Sequence, residues 1–145
     1  METTAELDTT TEDAPSPNGH NDTYLDLDDD AFLAHILAQK PAEEIIEVPE
    51  WRVNVLCRAL NAKSRVEIQM LSYDEASKKT DYRRAIYEVI MAGSFNPKTG
   101  HRAFVEKHRN TIMQAQDGRP AERLFVTIMR LSGLFASDQE KTRKN

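Results

Sequence analysis

The sequence predicts an α+β domain, an N-terminal β-hairpin followed by a small bundle of about four helices, with disordered ends. Three observations carry this. Apolar residues alternate with period two across residues 44–58. After Leu60 the period changes to that of helices. Both ends lack apolar residues to bury, and the first 27 residues form an acidic arm.

At 145 residues, with 39% apolar and 30% charged side chains, the chain has room for one core plus tails. The reading is a disordered acidic arm over residues 1–27, a single domain over 28–135 and a polar tail over 136–145. Residues 1–30 contain ten acids, from Glu2 to Asp30, and no lysine or arginine, a charge of −10. The rest holds the other 14 acids and all 19 bases, hence +5. Such an arm solvates the chain, or folds back to screen a basic face in competition with a partner.

Within residues 28–39, aspartates Asp28, Asp29 and Asp30 precede an apolar face of Phe32, Leu33, Ile36 and Leu37, and Pro41 follows. This predicts a short helix with its acids at the positive end of the dipole. The face packs on its own domain or docks on a partner.

Glu44–Val48 and Arg52–Arg58 then read as two strands joined by a tight hairpin, because Pro49 lacks the N–H needed to continue the first. Val53, Val55 and Cys57 share one face, and Trp51 is a candidate core anchor. The helices occupy residues 61–135. Asn61 is placed to cap the first, whose buried stripe is read as Ala62, Val66, Met70 and Tyr73. The second carries Tyr82, Ile86, Val89, Ile90 and Gly93. Ser94–His101 is turn chemistry compatible with a small hairpin. A third helix is predicted over Phe104–Gln116, with Val105, His108, Ile112 and Ala115 aligned. Pro120 suits the first position of a final helix with Leu124, Ile128, Leu131 and Leu134 or Phe135 inward, ended by Gly133.

The inventory for chemistry is poor. One cysteine excludes an internal disulfide and a cysteine-based zinc site, and the alternation around Cys57 reads as a buried small hydrophobe. Phosphate-cradling glycine loops, a metalloprotease helix and a nucleophile elbow are all absent. Of the four histidines only His101 and His108 lie near each other, and Gly100 places the first in a loop. Carboxylate pairs such as Glu43 with Glu47, or Asp74 with Glu75, fall in polar contexts where nothing predicts the burial that acid–base chemistry needs. No cofactor is expected. Basic residues cluster at Lys78, Lys79, Arg83 and Arg84, and at Arg102, Lys107 and Arg109, but interspersed acids dilute the field and disfavour nucleic acid. No apolar run reaches the roughly 20 residues that a membrane span needs, and Met1–Thr11 lacks the features of a secretory signal, so a cytoplasmic protein is expected.

Ile46-Glu47-Val48-Pro49-Glu50-Trp51, followed by Val53-Asn54-Val55, Arg58-Ala59-Leu60 and Asn61-Ala62-Lys63, resembles the tail assembly chaperones of long-tailed bacteriophages. Met129-Arg130-Leu131-Ser132-Gly133-Leu134 is similar to that family's last helix. The resemblance spans about Ile45 to Asn145. It implies a protein without catalysis, working in the host bacterial cytoplasm and absent from the mature virion. Its implied partners are the tape measure protein, the tail tube protein and a frameshifted longer form of itself. Candidate partner-binding residues are Phe32, Leu33, Ile36 and Leu37, with Leu134 and Phe135 at the other end. Two alternatives stay open: a nucleic-acid-binding regulator with a self-inhibitory acidic arm, and an enzyme built around His101, His108 and Asp117.

Overall fold

The computed structural model describes residues 23–135, and the expected disordered arm up to residue 22 and polar tail from residue 136 lie outside the described residues. By its internal contacts the chain divides into two units after Lys40. The first unit contains helix α1 (Asp29–Leu37), started by Asp28, whose carboxylate accepts a hydrogen bond from the Ala31 N–H at 3.0 Å. None of its residues is buried.

The second unit is an α+β domain that opens on the predicted hairpin. Strands β1 (Glu43–Val48) and β2 (Val53–Arg58) pair antiparallel from Glu43 opposite Arg58 to Val48 opposite Val53. The turn between them closes with Trp51 N–H donating to the Val48 carbonyl at 3.0 Å, and Arg52 takes a left-handed conformation, φ +57°. Val55 and Cys57 point into the core, while Val53, at the start of the same face, is half exposed. Trp51 packs at the core's edge, edge-on to Phe104 with ring centres 5.9 Å apart.

Helix α2 (Ala62–Ser72) starts where expected, with the Asn61 side chain accepting from Ser64 N–H at 2.8 Å. Its predicted stripe is on the wrong side. Val66, Met70 and Tyr73 are exposed, and Ile68 and Ser72 are the buried residues. Both sets repeat with helical period, and the choice is made by anchors outside the helix. The Arg65 guanidinium donates to the Ser132 carbonyl at 2.7 Å, and the Leu60 N–H to Ser132 Oγ at 2.9 Å. These turn the Arg65, Ile68 and Ser72 side inward.

A two-stranded hairpin, β3 (Tyr73–Asp74) with β4 (Lys79–Thr80), follows and was not anticipated. A 3-10 turn over Tyr82–Ala85 leads into helix α3 (Ile86–Gly93), buried through Tyr87, Val89, Ile90 and Gly93. Strand β5 (Ser94–Phe95) joins the edge of β2, giving a three-stranded sheet in the order β1-β2-β5. Phe95 also bridges to Arg102, so Asn96–His101 is the small hairpin loop that its turn residues allowed.

The third predicted helix is far shorter than the Phe104–Gln116 expected. Residues Glu106–His108 form a 3-10 turn and α4 covers only Arg109–Met113. Val105 is extended, its N–H held by His108 Nδ1 at 3.0 Å, and no residue of α4 is buried. A helical period without a core to cover does not extend a helix. Helix α5 (Arg119–Leu131) follows, with Pro120 in its first turn and Leu124, Ile128 and Met129 fully inside. Gly133, φ +66°, ends it: its N–H reaches the Arg130 carbonyl and the Leu134 N–H reaches that of Met129, both at 3.1 Å. This paired closure, with Leu134 and Met129 buried together, is the Schellman arrangement.

The core lies between the sheet, α3 and α5. At their junction a Cβ on Gly93 would stand 2.7 Å from Ile128 Cγ2 and 2.9 Å from the Arg58 carbonyl oxygen. Gly93→Ala is therefore expected to cost about 2–3 kcal/mol, seen as a lower denaturant midpoint. Arg52→Gly has the opposite sign. Relieving the left-handed conformation should stabilise the domain by about 0.5–1 kcal/mol in the same titration.

Candidate functional site

Two kinds of surface compete for a functional role, polar clusters and exposed apolar faces. The polar clusters are self-satisfied. Glu50, in the hairpin turn, accepts from both terminal nitrogens of Arg123 on α5, at 2.5 and 3.2 Å, with Arg119 at 3.6 Å. The Arg123 hydrogen bond holds the Glu50 carboxyl below the ordinary glutamate value. Asp117 and Asp81 are lowered to about 2 by their hydrogen bonds to Arg119 and Arg83. Arg130 reaches Glu44 at 2.5 Å, and Arg58 pairs with Glu43 across the hairpin. The Arg123 and Arg130 pairs tie the hairpin turn and β1 to α5, and the Arg58 pair ties β2 to β1.

Four members of the basic clusters read from the sequence have partners of their own. Arg83 is engaged by Asp81, and Arg109 by both Glu88 and Glu106. Arg102 donates to the Met91 carbonyl at 2.8 Å and lies over the Phe95 ring. Lys78 has only a loose contact with Glu75 at 3.9 Å. His101 is exposed in its loop, whereas His108 is spent on the Val105 N–H and packs against Phe104. Asp117 is bound to Arg119, and among the described residues no hydrogen bond joins these three. Among the described residues no cluster of three or more histidine, cysteine or acidic side chains is placed to hold a metal. Cys57 is fully buried, and burial pushes its thiol up to about 11, which makes it a poor nucleophile.

The apolar surfaces are less satisfied. On α1, Phe32, Leu33, Ile36 and Leu37 are all exposed. Val66 and Met70, one turn apart on α2, and Tyr73, at the start of β3, are exposed, with Met70 73% accessible. Beside these three runs a groove of about 570 Å³ whose further walls are Gln69, Glu75, Thr80 and Tyr82. A second depression, about 460 Å³ and mainly apolar, is bounded by Ile86, Ile112, Met113, Ala121, Phe125 and Val126. The other residues singled out from the sequence are placed differently. Leu134 is only 2% accessible and serves the α5 closure, and Phe135 is half-buried against the core. Helical period alone assigns Val66, Met70 and Tyr73 to the buried side. The available clue was the competing Arg65, Ile68 and Ser72 register.

No protein-family model and no curated protein matches the chain. Among solved structures, the tail assembly chaperone of bacteriophage HK97 is similar at 17% identity and a TM-score of 0.47, over 69% of this chain and 96% of that one. A likeness of this size carries no weight on what the chain binds.

The ion pair at the hairpin turn has a checkable pH signature. Because Glu50 is lowered in the folded chain, its stabilising contribution is present above the ordinary value near 4.5 and is lost as pH falls through the lower folded value. The stability gap between the parent chain and Glu50→Gln should therefore be open at about pH 7 and narrow steadily below about pH 4.5, read from denaturant midpoints across the acid range.

Proposed function

We propose that the chain is a tail assembly chaperone of a long-tailed bacteriophage that covers apolar helical segments of the tape measure protein until the tail tube forms around it. The observation that carries this reading is the exposed Val66, Met70 and Tyr73 stripe beside its groove, on a domain whose core is complete without it. A helix with apolar residues at matching spacing can lie along such a face. Contiguous exposed apolar surface of this kind marks an interaction site more often than an accident of packing.

The residues behind the family resemblance agree with this reading. Pro49-Glu50-Trp51 makes the hairpin turn that Arg123 clamps, and Arg58-Ala59-Leu60 meets Ser132-Gly133-Leu134 through the Leu60 to Ser132 hydrogen bond. They build the platform that presents α2. Binding has to be reversible, since tube subunits must displace the chaperone, and a shallow open groove suits a weak, exchangeable contact. On this reading the chain works in the host cytoplasm and leaves before the virion is complete. Any frameshifted longer form would present the same α2 face.

The test is co-expression with the long helical tape measure protein, scored by how much of it stays soluble. The parent chain should raise the soluble fraction severalfold. Val66→Glu with Met70→Glu should lose that effect while changing the chaperone's own stability by less than about 1 kcal/mol, because both side chains are exposed. A client that precipitates equally with and without the parent chain would refute the proposal.

A further inference from the structure

We infer that the free edge of β1 is a strand-docking site, and that it takes an extended segment of a partner carrying lysine or arginine two residues to either side of an apolar residue. The sheet runs in the order β1-β2-β5, so β1 is paired on one side only. Ala59 N–H donates to the Ala42 carbonyl at 2.9 Å, and these two residues continue the register that sets Glu43 opposite Arg58. Hydrogen-bonded and unbonded pairs alternate along an antiparallel ladder, so Glu44 and Ile46 bond to β2 while Glu43, Ile45 and Glu47 turn their N–H and C=O groups outward. Among the described residues nothing hydrogen-bonds to these outward groups. Such a row is a template for one more strand.

The side chains along the edge set the partner's chemistry. Ile45 is 59% accessible and stands opposite Leu56, which in turn stands opposite Phe95. Residues directly opposite one another share a face, so one apolar row crosses the outer side of the sheet and ends at the edge. An incoming strand with an apolar residue beside Ile45 lengthens that row. Two residues to either side of Ile45, on the same face, are Glu43 and Glu47. Glu43 pairs with Arg58, while Glu47, opposite Asn54, has no salt bridge among the described residues. These acids act against self-pairing: in the antiparallel register centred on Ile45, Glu43 of one copy faces Glu47 of the other, twice. Lysine or arginine at those positions of the incoming strand turns both repulsions into attractions. The edge is independent of the α2 face and of the chaperone reading.

Two synthetic peptides of about nine residues, alike except for lysine or glutamate two residues to either side of a central valine, are titrated calorimetrically into the full chain at about 50 and 300 mM NaCl. The lysine peptide should bind at least about tenfold tighter at low salt, and the preference should shrink at high salt. Glu43→Gln with Glu47→Gln should remove the preference. N-methylation separates backbone pairing from mere charge attraction. Methyl groups on the amides of the valine and both lysines, which face β1, should abolish binding, whereas methyl groups on the residues between them should leave it within about twofold. Ile45→Pro removes an outward N–H and no ladder bond, and should weaken the lysine peptide about tenfold or more. Equal affinity for the two peptides, no binding of either, or binding indifferent to which amides are methylated overturns the inference. So does dimerisation of the chain in sedimentation that Ile45→Pro abolishes, since a second copy is then the occupant. Should neither peptide bind while the tape measure protein is still kept soluble by the parent chain, the edge inference falls and the chaperone reading stands.

Discussion

Where α3 passes between α5 and β2 there is no room for a side chain, and that close approach at Gly93 governs the rest of the domain. With the backbone this near, Ile128 and Leu124 reach across to Val89 and Ile90 and onto the sheet, and one compact core forms from a few large side chains. The sheet is then pinned to α5 by Arg123 with Glu50 and Arg130 with Glu44. Surface pairs contribute little singly, but here each joins elements far apart in the chain and fixes register more than it adds stability.

Ser132 is the second point on which the geometry turns. Its hydroxyl accepts from Leu60 N–H and donates to the Ile128 carbonyl at 2.7 Å, and its own carbonyl takes the Arg65 guanidinium. One residue at the end of α5 therefore sets where β2 stops and how α2 is rotated. That rotation places Ile68 inside and leaves Val66, Met70 and Tyr73 outside. The exposed stripe is a consequence of core geometry, which distinguishes it from apolar residues scattered singly over a surface.

The hairpin, the α2 cap at Asn61, the α3 stripe and the Gly133 closure were legible because each is written locally: alternation, a side-chain acceptor, helical period, a residue free to take positive φ. The face of α2 was not, since two sets of residues share the same period and a contact 67 residues away decides between them. The reach of α4 was not legible for a related reason. Val105, His108 and Ile112 repeat correctly, but the 3-10 turn and the His108 contact to Val105 leave them little to pack on. Of the exposed apolar surfaces, only the Phe32, Leu33, Ile36 and Leu37 face of α1 was legible in the sequence. The α2 surface needed the structure.

On the proposed reading the chain acts through its α2 face. The most direct measurement is hydrogen–deuterium exchange of the full chain with and without the long helical tape measure protein. Slowed exchange over Ala62–Ser72, with the amides of α5 unchanged, is the predicted result. Protection confined to α5 or the sheet, or none anywhere while the two proteins remain associated, would contradict the account.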